Sequence, residues 1–279
     1  MKKKIKWPTL ILLTIFFIGL CVMLYPSISK YWNSKTQSKA IIDYDKMLAA
    51  IPKEDFQSFF DAADKYNNEL RALDFPLLDY EQVKGYNDSL DVIGTGMMGY
   101  ITIDKIAVEL PVYHGTEEEV LSAAVGHIEG TSLPTGGKGN HTVLSAHRGL
   151  PTATLFTNLD HLELGDTFKL TILDRVITYR VDQIKTVTPD NSEDLVIDKD
   201  KDYCTLLTCT PYGINTHRLI VRGVRTETVE DKIINIVNEG YRIDTLIVTP
   251  IVALPIIFVL ILIVLFKPVK KEKDGDDLF

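Results

Sequence analysis

The sequence predicts a mainly β protein: a closed β-barrel with helical insertions and N-terminal helices, flanked by two transmembrane helices. Three observations predict it. Two long segments near the ends of the 279-residue chain carry no charge. About seven short segments between residues 98 and 226 alternate apolar and polar side chains. No strand–helix–strand rhythm accompanies them, so a doubly wound parallel sheet is not expected.

The ends come first. Trp7 to Tyr25 is 19 residues without charge, and Leu246 to Phe266 is 21. As helices these reach about 28 and 32 Å, close to the roughly 30 Å of a bilayer's hydrocarbon. Pro250 and Pro255 in the second are tolerated in a bilayer. The first is read as a retained anchor rather than a cleaved signal, because it is long and no A-x-A site follows. Lys2, Lys3, Lys4 and Lys6 precede the first span, and Lys267, Lys270, Lys271 and Lys273 follow the second. The positive-inside bias then puts both termini in the cytoplasm and the segment between the spans on the extracellular face. The expected organisation is a cytoplasmic N-terminus (1–6), a membrane helix (7–25), an N-terminal helical and loop region (26–97) and a β-barrel (98–226). A juxtamembrane amphipathic helix (227–245), a second membrane helix (246–266) and a cytoplasmic tail (267–279) follow.

Within the outer region, residues 40–72 read as helical. Pro52 suits a helix start, and Phe56, Phe59, Phe60, Ala63 and Tyr66 recur at three- and four-residue spacing. Residues 73–96, with Pro76, Gly85, Gly94 and Gly96, read as a long loop. Strands are expected at Gly99–Ile103, Ile106–Tyr113, His141–Ala146, Asp166–Leu173, Val176–Asp182, Tyr203–Cys209 and His217–Val224. The fourth and fifth form a hairpin across a short Asp174-Arg175 link. Short helices are expected near 117–125 and 152–158.

Composition narrows the function. Lys and Arg total 30 against 38 Asp and Glu, a net charge of -8, which argues against a nucleic-acid partner. The chain is 46% apolar and 24% charged, which excludes a disordered chain. Three cysteines exclude a disulfide-dense scaffold and a four-cysteine zinc site. Cys21 lies in the first apolar segment, leaving Cys204 and Cys209 outside. Five strand steps put their Cα atoms roughly 16 Å apart on opposite faces, whereas a disulfide needs under about 7 Å.

Cys204 reads as a buried, inert thiol. Cys209 ends its strand at Thr210-Pro211-Tyr212-Gly213, where the chain turns, and both a nucleophilic and an inert reading stay open. A thiol nucleophile needs a base or cation beside it. His147 ends a strand and precedes Arg148-Gly149. His217 and Arg218 open the strand after the Cys209 loop, and strand parity lets only one of them face the thiol. His114, His127, His141 and His161 read as surface or hydrogen-bonding residues.

The segment Thr205-Leu206-Leu207-Thr208-Cys209 with Arg218 downstream closely resembles the T-L-x-T-C signature of the sortases. Leu144-Ser145-Ala146-His147-Arg148-Gly149 resembles their histidine segment. The stretch from Cys209 to Arg218, His-Arg-Gly-Leu-Pro at 147–151 and the two apolar ends resemble the class C, pilus-assembling branch. That resemblance implies an eight-stranded sortase-type barrel, one strand more than the periodicity gives. It implies Cys209 as nucleophile, His147 as acid/base and Arg218 as the oxyanion or substrate-orienting residue. It also implies cleavage of an LPxTG-like sorting signal between Thr and Gly and transfer to a lysine of the next pilin, with no nucleotide, metal or other cofactor. The implied partners are pilins, other LPxTG-like surface proteins and the lipid bilayer. Class C members carry an Asp-Pro-aromatic lid, and here the order is changed to Leu73-Asp74-Phe75-Pro76. Asp74 and Phe75 are the candidate lid, with Asp74 pairing a cation such as Arg218 and Phe75 filling an apolar groove; an ordinary loop is the other reading. A housekeeping sortase that attaches proteins to cell-wall precursor would use the same three residues, and a non-catalytic membrane receptor would use none.

Overall fold

A computed structural model describes residues 7–228. The chain forms two compact units, whose described parts are residues 7–27 and 28–228. The first helix, α1 (Trp7–Leu48), contains the expected span 7–25 and is long and apolar enough to cross a bilayer. The expected second span, 246–266, lies outside the described residues. So does the expected helix 227–245, apart from Glu227 and Thr228.

In the second unit α2 (Lys53–Arg71) starts after Pro52 and buries Phe56, Phe60, Ala63, Tyr66 and Leu70 along one stripe. These side chains join the barrel core, which includes Ile101, Ile103, Phe168 and Leu206. Full burial of a side chain such as Phe60 is worth about 2 kcal/mol, which fixes the helix to the barrel wall. The Arg175 guanidinium lies 3.5 Å from the Phe60 ring centre. Asn67 adds a polar clasp: its Oδ1 accepts from Leu133 N at 2.7 Å and its Nδ2 donates to Leu133 O at 3.1 Å.

The barrel strands are β1 (Met97–Ile103), β2 (Val108–His114), β3 (Val125–His127), β4 (Asn140–Ser145), β5 (Thr167–Ile172), β6 (Arg175–Val187), β7 (Asp202–Thr210) and β8 (His217–Arg225). Their order is β1-β2-β3-β4-β7-β8-β6-β5, closed by pairing of β1 with β5. The β2–β3 and β4–β7 pairs are parallel and the others antiparallel. Parallel pairing of β4 with β7 aims the C-terminal ends of both strands at one rim.

The eighth strand is β3, three residues around Gly126, too short for alternation to reveal. The helix expected near 117–125 is one turn, α4 (Glu118–Leu121), because the chain must then enter β3. The helix expected near 152–158 does not form. Leu155 has φ +39°, and Phe156 N donates back to His147 O at 3.2 Å, so a tight turn satisfies the backbone there. Strand β2 begins at Val108 rather than 106, since 104–106 form a 3-10 turn closed by Ala107 at φ +51°. Strand β6 passes residue 182 through a register shift and pairs with β8 as far as Val187. The long loop holds a short helix, α3 (Pro76–Asp79), with Pro76 opening it.

Candidate active site

The site grows out of β7. Alternation sends Cys204 and Leu206 into the barrel core and turns Leu207 and Cys209 to the outer face. In the β7–β8 register Cys209 stands opposite Arg218, and Thr210 opposite His217. Opposed residues of an antiparallel pair share a face, with Cα atoms about 5 Å apart. Cys209 and Arg218 therefore share a face, and His217 points to the other. Between them, Asn215 adopts φ +61°, a conformation asparagine tolerates. Its carbonyl accepts from Arg218 Nη1 at 3.3 Å, and the His217 carbonyl accepts from the same nitrogen at 3.1 Å.

His147 arrives from β4. The last registered pair is Ser145 with Leu207, and Ala146 N continues the ladder by donating to Leu207 O at 3.2 Å. Two residues further, that register aligns His147 with Cys209 on adjacent strands, whose spacing is about 5 Å. Thr208 Oγ1 donates to Ala146 O at 2.7 Å and pins the junction. Thr205 Oγ1 lies 2.7 Å from His141 Nε2. Both threonines of the T-L-x-T-C segment thus join β7 to β4.

Two charged groups buttress this rim. Arg148, with its side chain only 9% exposed, pairs with Asp160 and donates to Thr210 Oγ1 at 3.2 Å. Glu118 at the start of α4 sets its Oε2 3.5 Å from His147 Nε2. Sequence reasoning missed both. Arg148 had adjacency to His147 as a signal. Glu118 had none, because α4 reaches the rim only through the fold.

The outer face beside the site is apolar. Val143, Leu195 and Ile220 are buried there, with Leu77, Val187 and Leu207 packed against them. A cleft of about 590 Å³ runs between segment 71–78 and the loop around Leu195 and Val196. Asp74 is exposed and Phe75 is 64% exposed. Among the described residues, the hydrogen bonds of the Arg218 guanidinium go to the two carbonyls named above and not to Asp74. Leu77 is the side chain of that segment that reaches the apolar face. A larger cleft, about 750 Å³, lies around Gly137, Lys138 and Asp202 at the far end of β7.

All three cysteines are free. Burial in the barrel interior pushes the Cys204 thiol well above its ordinary range, with the nearby Asp202 charge adding to it. That is the chemistry of an inert thiol.

A fold and rim of this kind define an enzyme class. Residues 101–226 match the sortase domain family. Sortase C1 of Streptococcus agalactiae is 46% identical in sequence, with a TM-score of 0.62 over 68% of this chain and 98% of that one. Sortase C of Clostridium perfringens, solved with the C-terminal cell wall sorting motif, is 43% identical, with a TM-score of 0.60 over 68% of this chain and 99% of that one. Sortase D of Bacillus subtilis (strain 168) is 32% identical over 130 residues, which are 46% of this chain and 63% of that protein's length. The chain belongs to the sortase family of cysteine transpeptidases, and the solved structures it resembles are of class C.

Proposed function

We propose that this chain is a membrane-anchored transpeptidase that cleaves an LPxTG-like sorting signal between Thr and Gly and joins the acyl group to a pilin lysine, polymerising pili. The observation that carries the reading is the meeting of Cys209, Arg218 and the end of β4 at one barrel rim. Residues 98–226 would form the catalytic barrel. The Cys209 thiolate adds to the Thr carbonyl, and the developing oxyanion takes hydrogen bonds from Arg218. The C–N bond breaks, His147 gives its proton to the departing Gly amine, and a Cys209 thioester remains. A lysine amine then adds to the thioester and yields a proton to His147. The C–S bond breaks and the thiolate returns. Acyl energy is kept throughout, so no nucleotide is required.

The class C relatives support the pilin reading, as does the apolar outer face beside Cys209, where a sorting peptide would lie. Segment 73–78, including Asp74 and Phe75, would act as a cover for that face, a reading supported by the packing of Leu77 against it. Helix α1 supports anchoring. With 246–266 as a second span, the barrel would sit on the extracellular face. Incubating the outer domain with candidate pilins tests the function. A ladder of covalent polymers is expected, and Cys209→Ala abolishes it. A product joined to cell-wall precursor instead would mark a housekeeping enzyme, and a silent Cys209→Ala would mark a receptor.

A further inference from the structure

We propose that Glu118 is a positioning residue for the imidazole of His147. The inference rests on the transpeptidase reading above.

The Nε2 atom of His147 is hidden from solvent and makes no hydrogen bond among the described residues. A buried polar atom in that state is rare and calls for a partner. The polar group facing it is the Glu118 carboxylate, at 3.5 Å. That distance is just beyond a charge-assisted hydrogen bond, which closes at about 2.8 Å. The Glu118 side chain is 77% exposed and the His147 side chain 30%, so the carboxylate is the freer of the two groups to close the remaining gap.

The backbone that carries Glu118 is well fixed. Leu121 N and Val120 N both donate to Glu117 O at 3.0 Å, and Gln37 Nε2 on α1 donates to Ala123 O at 2.7 Å. The loop that carries His147 is held from the same helix, where Asn33 Nδ2 donates to Thr152 O at 2.9 Å. The neighbouring cation on that loop, Arg148, is committed to Asp160 and Thr210. Glu118 is thus the carboxylate placed to fix the ring's orientation through Nε2. With Nε2 so occupied, the ring's other nitrogen, Nδ1, is the one available for proton transfer at the reacting sulfur. Glu118 also steadies the imidazolium each time His147 carries a proton.

The test uses the full chain in membrane vesicles and steady-state cleavage of an LPxTG peptide. Glu118→Ala is expected to lower kcat roughly 10- to 100-fold, the worth of one hydrogen bond to a charged group, with KM for the peptide unchanged. Because the position is open to solvent, excess formate is expected to restore much of the lost rate. The neighbouring Glu119→Ala is expected to change neither constant. An unchanged kcat in Glu118→Ala, or a loss that formate does not restore, or an equal loss in Glu119→Ala, overturns the proposal. If the wild type itself forms no thioester with the peptide, the transpeptidase reading fails instead.

Discussion

Cys209 on β7 stands directly opposite Arg218 on β8, while His217, one residue earlier, pairs with Thr210 on the opposite face. The parity of a two-stranded ladder thus chooses between two adjacent basic residues. With Arg218 as the proposed oxyanion donor, Arg218→Ala is expected to lower kcat roughly 100- to 1000-fold. His217→Ala is expected to stay within a few-fold of wild type. Peptide-cleavage kinetics on the two variants check this, and a larger loss at His217 contradicts the assigned faces.

The two thiols of the barrel are expected to react very differently. Cys204 is fully buried and its thiol is held in the protonated form, whereas Cys209 is only partly buried at the rim. Iodoacetamide on the folded protein, followed by digestion and mass spectrometry, should label Cys209 and leave Cys204 unmodified. Cys204→Ser should cost about 1–3 kcal/mol of stability by burying a hydroxyl in an apolar wall, with alkylation of Cys209 unaffected.

Arg148 ties the loop of His147 to Thr210, the residue after the thiol. Lysine has no planar fork to span Asp160 and Thr210 together. Arg148→Lys is therefore expected to lower kcat about tenfold with little change in peptide KM. Arg148→Ala, which leaves Asp160 unpaired at the rim, should also lower the thermal midpoint in differential scanning fluorimetry.

Leu77 packs against the apolar face and is the contact by which segment 73–78 would cover it. Leu77→Ala should speed alkylation of Cys209. Asp74→Ala with Phe75→Ala should speed it less, since both side chains are exposed. If neither variant changes the alkylation rate, the segment is an ordinary loop.

Stability should fall in mild acid. His127 is fully buried, with Nδ1 2.8 Å from Tyr86 Oη and Nε2 2.9 Å from Ser132 O, and burial pushes its pKa down to about 4. In the unfolded chain it titrates near 6.5, so between those values the unfolded state binds the extra proton. Stability is complete above about pH 6.5 and declines as pH falls toward 4, by about 3 kcal/mol for this group. His141, also lowered chiefly by burial, acts in the same direction. Urea unfolding at pH 7 and pH 4.5 measures the decline, and His127→Asn should flatten it.

What the sequence revealed follows from how local each feature is. The strand–turn–strand from Tyr203 to Val224 is contiguous, so alternation alone separated Cys204 from Cys209 and Arg218 from His217. His147 was visible as a strand end, but its nearness to Cys209 depends on parallel pairing of β4 with β7, which no local pattern encodes. Strand β3 is three residues around a glycine and offers no period to read. Glu118 reaches His147 only because α4 and β3 are inserted between β2 and β4. A short helix is expected at 152–158, yet the left-handed Leu155 and the Phe156-to-His147 bond make a turn there. Tertiary contact overrode propensity at that point.

The most direct measurement is intact-protein mass spectrometry of the outer domain after brief mixing with an LPxTG peptide. A covalent adduct equal to the peptide's acyl portion ending in Thr is expected, localised to Cys209, sensitive to hydroxylamine and missing from Cys209→Ala. An adduct that persists in Cys209→Ala, or cleavage of the peptide with no acyl intermediate on that sulfur, would contradict the transpeptidase reading.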